Sequence, residues 1–344
     1  MSGREHWEEF KERFITGDGR VIDDVNGGIS HSEGQGYALV LATHFDDEAT
    51  FRKVWKWTRD NLQVRNGDRL FAWKWEETQS GAGEVADINN ASDGDVLIAW
   101  GLSRGYEHWG RRDYRHEALA ICKSIRASLI RDSKFGPLLV PGAQGFDHHG
   151  KTVVNLSYWI YPAFEHLSNL DKDTAIWKKL FRSGIELTTR ARFSRDELPP
   201  DWIEVSRTVR PATGFEPSFG YNAIRIPLYL AWLTEREGLD ELLVPFANLA
   251  SKHEGKALPA RIAVQGFAID SEPAVPGMVD TLEFARRASN DLKGMPDRPF
   301  EASKGYYSSV LQLLVNCAAR ENQTAPGKPF LGSLAGVATT ESKT

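Results

Sequence analysis

The stretch Ala91-Ser92-Asp93-Gly94-Asp95-Val96-Leu97-Ile98-Ala99-Trp100 sets two carboxylates one residue apart, on either side of a glycine, at the entrance to an apolar run. A helix entrance favours an anion, because its first N–H groups lack intrahelical partners and the positive end of the dipole lies there. One acid suffices for a cap. The second acid, and the close approach that Gly94 permits, leave two readings open: a capped helix, or a helix entrance that also receives a polar ligand such as a sugar hydroxyl. Val96, Ala99, Trp100 and Tyr106 recur at roughly helical spacing, so a helix is predicted over 95–109.

Outward from this stretch the same pattern repeats. Apolar-periodic segments with short polar breaks predict helices over 49–62, 114–130, 157–170, 174–191, 223–237, 242–253 and 307–320. Strand alternation is scarce, with 137–146 and 260–269 the best short candidates. Many helices of similar length without βαβ alternation predict an all-α chain: a bundle, a solenoid or an α/α barrel. An α/α barrel suits glycines and carboxylates at helix entrances, since its inner helices carry polar and aromatic groups at one end around a cleft. No linker rich in Pro, Gly or Ser divides the 344 residues, so one domain over 1–330 is expected, followed by a small, polar tail over 331–344 that frays from about Thr324.

Composition narrows the function. The net charge is −5 and no basic block is present, which argues against nucleic acid or an anionic membrane as partner. Cys122 and Cys317 sit in apolar helical contexts and read as buried thiols, neither a disulfide framework nor a metal site. His148 and His149 read as a solvated turn, because no further ligand-spaced His or Cys follows. No metal and no organic cofactor is expected. Eleven tryptophans are many for this length, and indole faces stack well on the apolar C–H face of a sugar ring. The charged, amphipathic start MSGREHWEEFKERF has no apolar run of signal-peptide type, so the expectation is either a cytoplasmic protein or a chain that begins after a removed leader.

Four further segments carry candidate chemistry. In His31-Ser32-Glu33-Gly34-Gln35-Gly36-Tyr37, Glu33 stands at a helix start, as a capping acid or as a general acid whose proton is retained by partial burial. The alternating aromatics of Phe71-Ala72-Trp73-Lys74-Trp75-Glu76 form either a short strand on the core or a floor for sugar stacking by Trp73 and Trp75. In Asn155-Leu156-Ser157-Tyr158-Trp159, Tyr158 either holds a water or caps a core helix. In Tyr221-Asn222-Ala223-Ile224-Arg225, Arg225 lies in apolar surroundings and needs an acid partner, for which Asp93, Asp95 and Glu33 are the choices.

Taken together and in this order, from SEGQGY to GYYSSVLQLL, these segments resemble glycoside hydrolase family 8 over nearly the whole chain. ASDGDVLIAWGLSRGYEHW follows the family signature, departing only at Gly101, Ser103 and Gly105, all small residues in a helix. The resemblance implies an (α/α)6 barrel with a substrate cleft across one end, and an inverting endo-β-1,4-glucanase of the kind encoded with bacterial cellulose synthases. It implies a β-1,4-linked polysaccharide or cello-oligosaccharide as ligand, a functional link to a cellulose synthase, no membrane insertion, and a secreted or periplasmic location. Glu33 would be the general acid, Asp93 would bind and distort the sugar, Tyr158 would hold the attacking water, and Arg225 would fix the carboxylates. Trp73 and Trp75 would line glucosyl subsites, with Asp95 and Tyr221 also on the substrate side.

Inversion needs a second carboxylate as base, roughly 6.5–9.5 Å from the acid. The family places Asp in a Tyr-Asp-Ala-x-Arg motif, whereas Asn222 stands here, and an amide cannot itself take a proton from water at neutral pH. Three explanations are open. A loop acid serves as base, Glu204 or Glu216 with Asp201 behind them. Alternatively, Asn222 is an Asp→Asn change that traps substrate. Lastly, the chain is a weakened enzyme that mostly binds glucan. The motif otherwise follows its Asp-bearing version, which favours an altered base. A non-catalytic glucan-binding protein is the alternative from another class, and xylan, mixed-linkage glucan and chitosan are the alternative polymers.

Overall fold

The computed structural model describes residues 3–324 apart from 79–82, 149, 235, 237, 267, 270, 293 and 295–298. The expected tail at 331–344 and His149 lie outside the described residues. Eleven α-helices are found among the described residues: α1 (Gly3–Phe14), α2 (Ser32–His44), α3 (Glu48–Leu62), α4 (Ser92–Trp109), α5 (Arg112–Ser128), α6 (Tyr161–Leu170), α7 (Thr174–Arg190), α8 (Arg225–Trp232), α9 (Val244–Lys252), α10 (Pro276–Ser289) and α11 (Tyr306–Thr324).

Six of these helices close a ring. Helix α2 packs on α4, α4 on α6, α6 on α8, α8 on α10, α10 on α11, and α11 back on α2. Around the ring, α3 backs α2, α5 backs α4, α7 backs α6, α9 backs α10 and α1 backs α11. Burial follows this division. In α2 every residue is buried except Glu33 and His44, whereas the outer helix α3 buries only Phe51, Val54, Trp55, Trp57, Thr58 and Leu62. An inner helix is covered on all sides, an outer one along a single apolar stripe.

Glycines set the tightest contact of the ring. A Cβ on Gly36 would meet Leu97 Cβ at 2.5 Å, and one on Gly101 would meet Leu39 Cβ at 2.6 Å, so α2 and α4 approach with glycine facing leucine in both directions. Gly94 continues the seam: its Cβ would stand 2.1 Å from Ser32 Oγ and 2.9 Å from the Glu33 backbone nitrogen. The close approach that Gly94 permits is therefore made by the chain's own α2, and this locks the starts of the two helices together.

The strands are short and antiparallel. β1 (Ser30–His31), β2 (Ala72–Glu77) and β3 (Gly83–Asn90) form a three-stranded sheet. β6 (Asp147–His148), β7 (Lys151–Val154), β8 (Ile203–Val205) and β9 (Val209–Pro211) form a four-stranded one. β4 (Ile130–Arg131) pairs with β5 (Leu138–Leu139), and β10 (Ser218–Phe219) with β11 (Ile262–Ala263).

Two predicted helices are shorter than their periodicity. The segment 157–170 breaks into a single 3-10 turn at Leu156–Tyr158 and then α6, because Pro162 opens a new helix and restrains the residue before it. Within the segment 223–237, α8 runs over Arg225–Trp232 and Leu233 turns extended.

Candidate active site

The ring presents one end of its inner helices to a cavity of about 850 Å³. Ser32 and Glu33 line it from the start of α2, Asp93 from the start of α4, and Arg225 from the start of α8. Val275, just ahead of α10, and Tyr306 and Tyr307 at the start of α11 continue the wall. The N-termini of the inner helices thus converge, and their unpaired N–H groups and dipoles favour the carboxylates placed among them.

Arg225 organises the centre. It is 3 % exposed, and its Nη1 pairs with Glu33 Oε1 and lies 3.4 Å from Asp93 Oδ2. Its Nη2 donates to Asn222 Oδ1 at 2.8 Å, and Nη1 donates to Tyr37 Oη at 3.3 Å. The guanidinium also stands over the Tyr158 ring at 5.8 Å. Tyr37 Oη donates to Glu33 Oε1 at 3.2 Å and shares a 2.7 Å hydrogen bond with Tyr229 Oη. Two of the three acids offered as partners for Arg225 are therefore at its side, and one guanidinium bridges Glu33, Asp93 and Asn222.

The electrostatics are set by burial. Asp93 is 2 % exposed, and loss of water pushes its carboxyl up to about 7 against the opposing Gly94 N–H and the nearby His31. Burial, reinforced by Asp93 and Asp201, holds the Tyr158 hydroxyl well above the usual tyrosine range, so it keeps its proton. His31 Nδ1 accepts from the Gly34 N–H at 3.0 Å, capping α2, which leaves the proton on Nε2 facing Asp23 at 3.5 Å. Two buried hydroxyls on the cavity wall, Ser32 Oγ and Tyr306 Oη, have no hydrogen-bond partner among the described residues.

The remaining sequence candidates separate. Trp73 lines the cavity, its Nε1 donating to Asp87 Oδ2 at 2.7 Å. Trp75 is only 9 % exposed, edge-on to Trp57 and under Arg20, whose guanidinium lies 4.2 Å from the ring, and it is not among the cavity-lining residues. Two residues apart on a regular strand they would share a face, but β2 shifts register against β3 between Ala72 and Trp75, and the irregularity parts them.

Asp95 is likewise placed in the core. It is 0 % exposed, with Oδ1 accepting from the Phe71 N–H at 2.9 Å and Oδ2 from Asn90 Nδ2 at 2.7 Å. The second carboxylate of the motif therefore receives the chain's own groups and cannot reach a ligand. Tyr221 lines the cavity, with its hydroxyl donating to Glu272 at 2.6 Å.

Neither loop glutamate faces the cavity. Glu204 lies on β8 with Arg210 at 2.6 Å and Lys151 at 3.3 Å, and these two cations outweigh burial and lower its pKa. Glu216 is paired with Arg261 at 2.7 Å on the surface. Asp201 stands against the Asn222 turn. Its Oδ1 accepts from the backbone N–H groups of Gly220 at 3.1 Å, Asn222 at 3.1 Å and Ala223 at 2.7 Å. Tyr37, Tyr306 and Tyr307 were not singled out in the sequence; Tyr37 follows Glu33 by one helical turn, a spacing that could have found it.

Residues 1–321 match the family described as glycosyl hydrolases family 8. A "Probable endoglucanase" of Novacetimonas hansenii is 35% identical over 323 residues, 92% of this chain and 91% of that protein. An "Endoglucanase" of Cellulomonas uda is 34% identical over 260 residues, covering 75% of this chain and 70% of the other. Among solved structures, endo-beta-1,4-glucanase CMCax from Acetobacter xylinum superposes with a TM-score of 0.82 at 33% identity, covering 93% of this chain and 98% of that one. Endoglucanase Cel10 from Klebsiella pneumoniae gives 0.83 at 31%, covering 93% and 99%.

Proposed function

The chain belongs to glycosyl hydrolase family 8, and from that premise we propose that it is an endo-β-1,4-glucanase cutting internal bonds of cellulose or a soluble glucan with inversion. The observation that carries this reading is the meeting of Glu33, Asp93 and Asn222 on one guanidinium at the converging helix starts.

Glu33 serves as the general acid. Its carboxyl is paired with Arg225. A sugar that draws Arg225 toward Asp93 and Asn222 frees Glu33 to carry the proton for the leaving oxygen. Asp93 accepts from a ring hydroxyl at the cleavage point, Tyr158 orients the water by its retained proton, and Trp73 stacks on a neighbouring glucosyl unit. No helix among the described residues is long and apolar enough to cross a membrane. Membership of the family is what supports a polymer met outside the cytoplasm. Two carboxyl groups and a water suffice for the chemistry.

Asn222 favours a second reading, a glucan-binding protein without turnover, because its amide oxygen is already held by Arg225. Carboxymethyl cellulose viscometry decides between them. The chain should lower viscosity, and Glu33→Gln should slow this by about 10²–10⁴-fold while calorimetry still registers cellopentaose. Binding without any viscosity loss by the unchanged chain would establish the second reading.

A further inference from the structure

We propose that Asp201 is the terminal proton acceptor of the reaction, reached through the side-chain amide of Asn222, which faces the water; the inference rests on the hydrolytic reading above.

The geometry arises from which atoms are already taken. Asn222 lines the cavity, and its Oδ1 receives one hydrogen bond, from Arg225 Nη2 at 2.8 Å. A carbonyl oxygen has two lone pairs, so one remains for a water. With Oδ1 turned to Arg225, the Nδ2 hydrogens are left for Asp201, whose Oδ1 accepts from the Asn222 backbone N–H at 3.1 Å and whose charged form the Asn222 side chain favours. Asp201 accepts its three backbone N–H groups on Oδ1 alone, and this leaves Oδ2 for a proton. Neither Glu204 nor Glu216 offers a competing path, since each is paired with a cation away from the cavity.

The step balances. The water oxygen bonds to the anomeric carbon as the glycosidic C–O bond breaks, and the leaving oxygen takes the proton of Glu33. The water proton passes to Asn222 Oδ1 while an Nδ2 proton passes to Asp201 Oδ2, so Asn222 is transiently an imidic acid. Asp201 then returns its proton to Nδ2 as the Oδ1 proton leaves to a water in the cavity and on to solvent, which restores the amide, and solvent supplies one proton back to Glu33.

The groups around Asp201 set its titration. Tyr158 and Tyr307 face it and are kept protonated partly by its charge, while Arg225 reaches it through Asn222. Arg261 lies beside Gly220 but is committed to Glu216. Burial pushes Asp201 up to about 6, against the N–H groups of Ala223, Gly220 and Asn222. An acceptor must be ionised, so activity should fall as the pH drops through about 6.

The test is a matrix of four full-length proteins, the unchanged chain, Asp201→Asn, Asn222→Asp and the double variant, assayed on cellopentaose across pH. Asparagine at 201 can still accept the three backbone N–H groups, so the turn is kept. In the Asn222 background Asp201→Asn should lower kcat by at least about 100-fold with little change in KM, and abolish the acid limb near pH 6. With aspartate at 222 the same change should cost at least about tenfold less, because the acceptor then touches the water itself. Equal losses in both backgrounds would make Asp201 a purely structural cap and overturn the proposal. That outcome would leave the hydrolase reading standing. An unchanged chain that is inert while Asn222→Asp is active would overturn both, and would make this a glucan-binding site disabled at position 222; inactivity of both proteins would remove the hydrolase reading for the fold's site altogether.

Discussion

Trp73 and Trp75 stand two positions apart in the same aromatic run, yet one faces the cavity and the other is packed between Trp57 and Arg20. A stacking residue and a packing residue respond differently to truncation. Trp73→Ala should raise KM for cello-oligosaccharides by about tenfold, the loss of one aromatic contact of roughly 1–1.5 kcal/mol, and leave the melting temperature nearly unchanged. Trp75→Ala should instead lower stability by about 3 kcal/mol or more, with KM preserved in the protein that stays folded. Steady-state kinetics and thermal unfolding of both variants check this. The ASDGD motif divides in the same way. Asp93 reaches the cavity, whereas Asp95 secures the Phe71 backbone and the Asn90 amide. The family resemblance set both acids on the substrate side, and two carboxylates flanking a glycine look alike until the partners 24 residues upstream and 5 residues upstream are seen.

At the scale of elements, the glycine seam between α2 and α4 sets the acid beside Asp93, and a polar knot ties the opposite ends of the same helices. Glu321 of α11 accepts from Arg104 of α4 at 2.7 Å and from Trp232 of α8 at 2.8 Å, with His44 of α2 at 3.4 Å. His44, Cys317 and Glu321 lie within 4.8 Å of one another, but Arg104 supplies the charge that an ion would. Burial raises the Glu321 pKa, but Arg104 and the hydrogen bonds outweigh it and hold the carboxyl far below its usual range. Its contribution is therefore complete above the pH at which an unfolded glutamate ionises, and is lost as the pH falls toward the lowered folded value. Glu321→Gln should cost about 3 kcal/mol at neutral pH, and the gap to the unchanged chain should narrow below about pH 4.3 in denaturant titrations. The elements themselves were mostly legible. Periodicity located eight helical segments, and a reading missed α10 although Pro276 opens it and Met278, Leu282 and Ala285 form its buried stripe. The polar strand β3 carried no alternation to read, since nearly all of it is exposed or half-exposed and is held by its pairing with β2.

Over the whole molecule, closure of six inner helices into a ring is what turns separate motifs into a site. The motifs that carry the acids and Arg225 mark the starts of inner helices, so helices converging at one end bring together residues as far apart as Glu33, Asp93, Arg225 and Tyr307. That convergence was legible because helix entrances have recognisable chemistry. The division of labour inside the site was not, because the identity of the proton acceptor depends on a turn at Gly220–Ala223 meeting Asp201 from a different loop. The account's central claim is inverting cleavage of a β-1,4-glucan by this arrangement, and the stereochemistry of the first product tests it most directly. Time-resolved proton NMR of cellopentaose with the unchanged chain should show the new reducing end appearing as the α-anomer, with the β-anomer growing only by mutarotation. A β-anomer appearing first, or cellopentaose left intact, would contradict it.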